Sequence, residues 1–369
     1  MLVKPTRFEI YSDKSPEQKQ NLNSCPGAAV RKSIDICIPT YNRSAFLDRT
    51  LRSISSNKSD ALRNVIISDN CSTDNTQKVI HKFANELPLI VLRNTANIGA
   101  SRNLIRVAMA SDANYIWTFG DDDLLNAHGM SRVAAALDSG VRYCYAGRVL
   151  FSKKDSINLK DIQPYGVIGH KKFDSGRAMV HAMGTKILSV LGFFSSTVID
   201  RKSFQSAVTQ YNGPDNEFAY LRILLLAIRD TNCIVLGEPV VLCRTGNGRS
   251  FGACNSTVWF DQYIEALSFA IINGYDNASC LAMMDDVVKS FSKAFALDKA
   301  LFRRSDSVAT CLQKMGVLKS SANAGWARVS TLPAPLLFFL IGIPFLVKNA
   351  INAFSNSCRQ STLNEPQFD

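Results

Sequence analysis

Between residues 34 and 123, short apolar runs alternate with helix-like segments, and each run is followed at once by polar residues. Residues 34–38 (IDICI) predict a buried strand, with Pro39 ending its ladder. Ser44 opens a helix with Phe46, Leu47, Leu51 and Ile54 on its apolar stripe. Residues 65–68 predict a second strand. Thr73 then caps a helix carrying Thr76, Val79, Ile80 and Phe83. A third strand over 89–92, a helix from Ser101 to Ala110 and a fourth strand over 115–119 follow, and Gly120 permits a sharp turn into Asp121, Asp122 and Asp123. Such alternation implies an α/β fold: a mostly parallel central sheet flanked by helices. Ligands of these sheets gather beyond the carboxyl ends of the strands. Thr40, Tyr41 and Asn42, then Asp69 and Asn70, then Asn94 to Asn97, and finally the Asp triplet all fall there.

The rest of the chain is less regular. Residues 141–151 read as one or two strands, 153–176 as loop, 193–199 as a strand and 216–229 as a helix rich in Leu and Ile. Two short strands are expected around Gly237, a glycine-rich loop over 244–252, and helices over 257–273 and 278–295. This divides the 369 residues into a poorly structured leader (1–32), a catalytic domain (33–255), a helical extension (256–330) and a hydrophobic tail (331–369). With 46% hydrophobic and 20% charged residues, disorder of the whole chain is excluded. The formal charge of +11 suits an anionic partner, but the basic residues are scattered and form no stripe, so nucleic acid is not an expected partner. Ten cysteines without a C-x-x-C pair argue against a structural zinc site. That cysteine usage and a polar N-terminal segment without a signal peptide lead to an expected cytoplasmic location.

Asp121 and Asp123 are spaced to place two carboxylates in one turn around a divalent ion, and hard oxygens match Mg²⁺ or Mn²⁺ bridging to phosphate. An acidic turn or a helix cap is the alternative. Asp69 can accept from a base edge or a ribose, or equally from a backbone amide. Thr40, Asn42 and Arg43 can line a nucleotide pocket. Asn97-Ile98-Gly99 reads as a tight bend, and Arg102 on the next helix can face phosphate or solvent.

Four segments together, residues 36–43 (ICIPTYNR), 67–76 (ISDNCSTDNT), 94–103 (NTANIGASRN) and 118–123 (TFGDDD), resemble family 2 glycosyltransferases with the glycosyltransferase-A fold. The resemblance covers about 34–130 and weakens towards 250. It implies that Asp69 contacts the nucleobase, that Pro39, Thr40 and Asn42 lie beside that pocket, that Asp121 or Asp122 meets the ribose, and that Asp123 coordinates the metal. It also implies an inverting transfer whose base is a carboxylate near the start of a later helix. Asp215 and Glu217 are the candidates, with Asp215 preferred; the family's Glu-Asp pair is replaced here by Asp215-Asn216. The Gln-x-x-Arg-Trp segment of processive synthases is missing, which points to a nonprocessive bacterial type. The loop from Arg244 to Ser250 resembles a loop that closes over diphosphate or acceptor, with Arg244 and Arg249 as its charges, although a plain basic surface loop reads equally well.

Residues 332–347 (LPAPLLFFLIGIPFLV) are the most hydrophobic stretch. A straight helix of that length reaches only about 24 Å, short of a hydrocarbon layer of about 30 Å, and three prolines interrupt it. Either a monotopic or re-entrant attachment to the inner membrane face, or a tail packed on protein, is expected. The function expected is therefore transfer of one sugar from a nucleotide-sugar donor to a saccharide or lipid-linked acceptor in cell-surface polysaccharide (lipopolysaccharide-type) synthesis. The alternatives are a catalytically silent donor-binding module or a sugar nucleotidyltransferase. Donor base, sugar, acceptor and oligomeric state are left open.

Overall fold

The computed structural model describes residues 32–151, 163–164, 169–184, 191–244 and 256–287. The leader, residues 245–255 with Arg249 of the expected glycine-rich loop, and the hydrophobic tail lie outside them. Of the described residues, 32–244 and Ser268–Cys280 form one compact unit, and 256–267 with 281–287, both helical, belong to a second.

In the first unit, β1 (Ile34–Thr40), β2 (Leu62–Asp69), β3 (Leu89–Arg93) and β4 (Tyr115–Thr118) are all parallel, with β1 between β2 and β4. Helices α1 (Ser44–Asn57), α2 (Thr76–Lys82) and α3 (Ala100–Met109) make the crossovers. Their apolar residues cover the sheet: Leu47, Leu51 and Ile54 of α1 and Ile80 of α2 join Ile36, Ile38, Val65, Ile67 and Trp117 in one buried core. α3 buries Leu104, Ile105, Val107 and Ala108. The sheet then stops being parallel. β10 (Thr197–Asp200) lies antiparallel to both β4 and β6 (Tyr143–Tyr145), β11 (Cys233–Val235) runs parallel to β6, and β9 (Lys171–Phe173) closes the far edge antiparallel to β11. The strand order is β3-β2-β1-β4-β10-β6-β11-β9, a mixed sheet in which four of seven pairings are parallel.

A smaller sheet orders β5 (Leu124–Leu125), β12 (Val241–Arg244), β7 (Arg148–Phe151) and β8 (Gln163–Pro164). α4 (Gly129–Asp138), α5 (Gly176–Met183), α6 (Arg201–Gln210) and α7 (Ala219–Ile228) complete the unit, and α8 (Ser256–Ile272) follows. The Leu and Ile residues of α7 are buried nearly all round, as expected for a helix packed between other elements rather than on a surface.

Three sequence expectations are corrected. Pro39 does not end β1: it pairs with Ser68, and Thr40 pairs with Asp69. Residues 35, 37 and 39 turn their backbone groups towards β4, whose ladder with β1 ends at Thr118 and the Phe119 amide, so the missing N–H of Pro39 falls where β4 departs. Thr73 does not cap α2. Its hydroxyl donates to Asn42 Oδ1, and Asp74 instead accepts from the Thr76 amide. The 153–176 segment is not all loop, since β8 and β9 pair within it.

Candidate active site

The parallel strands end level with one another. Thr40 pairs with Asp69 and Asp69 with Arg93, so the polar residues that follow each strand share one rim. At β4 the chain turns through Gly120, whose φ is not positive; the demand there is for space. A Cβ would lie 2.8 Å from Asp123 Oδ2 and 3.1 Å from Ser195 Oγ.

The Asp triplet is bound into its surroundings residue by residue. Thr40 Oγ1 donates to Asp121 Oδ2 at 2.8 Å. Arg43 Nε lies 3.0 Å from Asp121 Oδ1, and its Nη2 is ion-paired with Asp122. Asp123 is 3% exposed, and its donors among the described residues are neutral: Ser195 Oγ at 2.5 Å and the Arg244 amide at 3.0 Å. The Thr50 hydroxyl donates to the Asp123 carbonyl at 2.8 Å, which anchors the turn to α1. Burial, opposed by Arg43 and reinforced by Asp122, pushes the Asp121 carboxyl up to about 7. Burial and the Asp122 charge do the same to Asp123, also to about 7, against the Ser195 and Arg244 hydrogen bonds.

Two elements distant in sequence reach this turn. β10 runs antiparallel to β4, so the short 3₁₀ turn Phe194–Ser196 that precedes it sits at the rim, and Ser195 Oγ both donates to Asp123 and accepts from the Gly120 amide at 2.8 Å. β12 runs antiparallel to β5, which sets Arg244 opposite the triplet with its Nε 3.2 Å from the Asp122 carbonyl. The Arg244 guanidinium lies between the rings of Phe46 (5.5 Å) and Phe151 (4.6 Å), and Arg43 stacks on Phe46 at 4.8 Å. Phe46, expected in the core stripe of α1, is thus half-buried and serves as a platform for the two guanidiniums. Ser195, Thr50 and Phe151 carry no sequence signal near the triplet; their roles follow from strand order.

A second group gathers after β3. Asn70 follows Asp69, and its amide donates to Thr40 O at 2.9 Å. Its side chain donates to Asn97 Oδ1 at 2.7 Å and accepts from Asn94 at 2.8 Å and from the Ile98 amide at 2.9 Å. Asn97 also accepts from the Gly99 amide, and Gly99 takes φ +89°, closing the bend the sequence predicts. Arg102 Nε donates to Asp215 Oδ2 at 2.6 Å, and its Nη2 joins the same carboxylate. That partner raises the Arg102 pKa. Glu217 Oε1 points to Gly99, 3.9 Å from where its Cβ would be. Between the two groups, Asp69 is fully buried and accepts from the Ser72 amide (2.9 Å) and Gln77 Nε2 (2.5 Å), with Arg93 Nε at 3.6 Å. Asn42 has φ +52° and accepts from the Thr73 amide at 2.8 Å. Asp69 and Asn42 therefore hold the 70–77 loop against the rim, and Asn70 ties the two groups together.

Among the described residues no group of three or more His, Cys, Asp or Glu side chains is arranged around a metal position. The residues still fit a divalent ion of the kind held by one or two carboxylates and completed by substrate phosphate, because Asp123 is a buried carboxylate whose donors among the described residues are neutral.

A rim of this kind, with carboxylates at the β4 turn of a mixed α/β sheet, is where such folds bind their ligands. Residues 35–196 match the family described as Glycosyl transferase family 2, and the chain is classed as a glycosyltransferase. The chain is 28% identical over 229 residues to the abequosyltransferase RfbV of Salmonella typhimurium, covering 58% of this chain and 67% of that protein. It is also 28% identical over 107 residues to the poly(ribitol-phosphate) beta-N-acetylglucosaminyltransferase TarS of Staphylococcus aureus, covering 28% of this chain and only 18% of that protein. The crystal structure of S. aureus TarS 1–349 in complex with UDP-GlcNAc shares the fold, with a TM-score of 0.56 at 15% identity over 83% of this chain and 86% of that one.

Proposed function

We propose that the chain transfers a single sugar, with inversion, from a nucleotide-sugar donor to a saccharide or lipid-linked acceptor in cell-surface polysaccharide synthesis. The observation that carries this reading is Asp123: a carboxylate buried at the strand-end rim, held in place by Ser195 and the Arg244 amide, with no cationic hydrogen-bond donor among the described residues. Asp123, with Asp121 beside it, holds Mn²⁺ or Mg²⁺, which when bound offsets the charge of the donor's diphosphate. The nucleotide lies over the ends of β1 and β2. Thr40 and Asn42 border it, and Asp69 meets the base by exchanging its Gln77 partner for the ligand. The names of RfbV and TarS support a sugar donor and do not select the sugar for this chain.

Inversion requires the acceptor oxygen to attack the sugar carbon from the face opposite the leaving diphosphate while a base takes its proton. Asp215 and Glu217 stand together before α7, on the Gly99 side of the rim. Arg102 grips Asp215, so that carboxylate is fixed in direction. Glu217 is exposed, and no hydrogen bond to its carboxylate is described. Asp215 remains the preferred base, oriented by Arg102. If so, Asp215→Asn lowers turnover by at least ~10²-fold, the scale of general-base catalysis, and Glu217→Gln by much less; the opposite order moves the role to Glu217. Attachment to the inner membrane face through residues 332–347 is part of the proposal. Among the described residues no helix is long and apolar enough to cross a membrane.

The test is a thermal-shift screen of nucleotide sugars with Mn²⁺ or Mg²⁺, followed by product analysis with the donor that binds. Release of nucleotide with glycosylation of an acceptor supports the reading. Donor binding without turnover across a broad acceptor panel replaces it with a binding module, and retained full turnover in Asp123→Ala defeats the role given to Asp123.

A further inference from the structure

The carboxylates of the triplet are held by the protein, and Arg43 engages an oxygen of two of them. It meets Asp121 Oδ1 through Nε at 3.0 Å and Asp122 Oδ2 through Nη2. Thr40 takes Asp121 Oδ2, and Ser195 and the Arg244 amide take the oxygens of Asp123. The Arg43 side chain is 16% exposed and rests on the Phe46 ring, so it is held but not sealed in. A guanidinium thus already supplies positive charge at the acids that a divalent ion needs. Arg43 and an ion held by Asp123 and Asp121 share the Asp121 carboxylate; two cations so close repel each other, and each lowers the affinity of the other.

We propose that Arg43 is a built-in counter-cation: it holds Asp121 and Asp122 while the donor site is empty, and yields Asp121 to a divalent ion at Asp123 when a diphosphate arrives to take its guanidinium. The inference rests on the metal-dependent donor binding proposed above. Its chemistry is that of a fork that fits carboxylate and phosphate equally well. The consequence is positive coupling between the two ligands. The ion alone competes with Arg43 and binds weakly, whereas the ion with a diphosphate binds well, because the diphosphate draws off the competitor. The residue also keeps three adjacent acids from repelling one another in the ligand-free protein.

The experiment measures Mn²⁺ uptake by the full chain, from the EPR signal of free Mn²⁺, with no nucleotide present. Wild type, Arg43→Gln and Arg43→Lys are compared. Arg43→Gln is expected to bind Mn²⁺ at least tenfold more tightly than wild type while melting at a lower temperature without the ion. Arg43→Lys, whose ammonium is a single point charge and cannot bridge both acids, is expected to fall between them and decides the matter if Arg43→Gln does not fold. A residue with a merely structural role would not tighten metal binding when removed. Equal or weaker Mn²⁺ affinity in the variants overturns the inference and leaves metal-dependent donor binding standing. No Mn²⁺ uptake by any of the three proteins, with or without UDP or GDP, removes the metal reading and the inference with it.

Discussion

Asp121 and Asp123 make the stability of the metal-free protein depend on pH in the direction opposite to that of a salt-bridged carboxylate. Burial, reinforced by the neighbouring Asp122, pushes both carboxyls up to about 7 in the folded chain, from 3.8 for an ordinary aspartate. The folded state therefore holds protons that the unfolded state has released. Stability contributed by the protonated pair is present below about pH 4 and is lost as pH rises through the window from 3.8 to about 7. A displacement of about 3 units at ~1.4 kcal/mol each sets an upper limit of roughly 4 kcal/mol per group. The two groups interact, so their joint contribution is less than twice that. Asp123→Asn removes one of them without removing volume, and its amide oxygen can still accept from the Arg244 amide. In urea unfolding with EDTA, wild type is expected to lose stability between pH 5 and 7. Asp123→Asn is expected to lose about half as much, ending ~1–3 kcal/mol more stable than wild type at pH 8. The same substitution is expected to abolish transfer, measured by product formation. A wild-type curve that is flat or rising from pH 5 to 7, tracked by the variant, refutes the reasoning.

Other substitutions test the rest of the site. Ser195→Ala removes a hydroxyl that serves Asp123 and the Gly120 amide at once; a loss of ~2 kcal/mol in stability and at least a tenfold fall in turnover are expected, measured by denaturation and product formation. Gly120→Ala places a methyl 2.8 Å from Asp123 Oδ2; it is expected to displace the carboxylate and weaken Mn²⁺-supported donor binding, measured calorimetrically, far more than it lowers the melting temperature. Asn70→Ala removes the side chain that joins the Thr40 rim to the Asn97 bend; with a buried network left half-satisfied, a cost of about 2–3 kcal/mol and faster amide exchange over 94–99 are expected.

Local pattern was enough to place β1 to β4, α1 to α3 and the polar residues at their ends, because the side-chain period of 2 or 3.6 and the adjacency of consecutive β-α-β units are properties of the chain itself. The Asp triplet, Asp69 and the Gly99 bend were legible for the same reason. Beyond β4 local pattern was weaker: β8 and β9 fall in a segment read as loop; β8 is only two residues long, and the partner of β9, β11, is not its neighbour in the chain.

What tertiary structure alone decided is which distant residues complete the rim. The 194–196 turn reaches Asp123 only because β10 is inserted antiparallel beside β4, and Arg244 reaches it only because β12 pairs with β5. Ser195 and Arg244 lie 72 and 121 residues from the carboxylate they hold. Periodicity carries no information over such separations, since strand order is set by how two sheets and their helices bury a common core. The sequence determined that acids would stand at the end of β4. Folding determined that their charge would be desolvated and shared with Arg43.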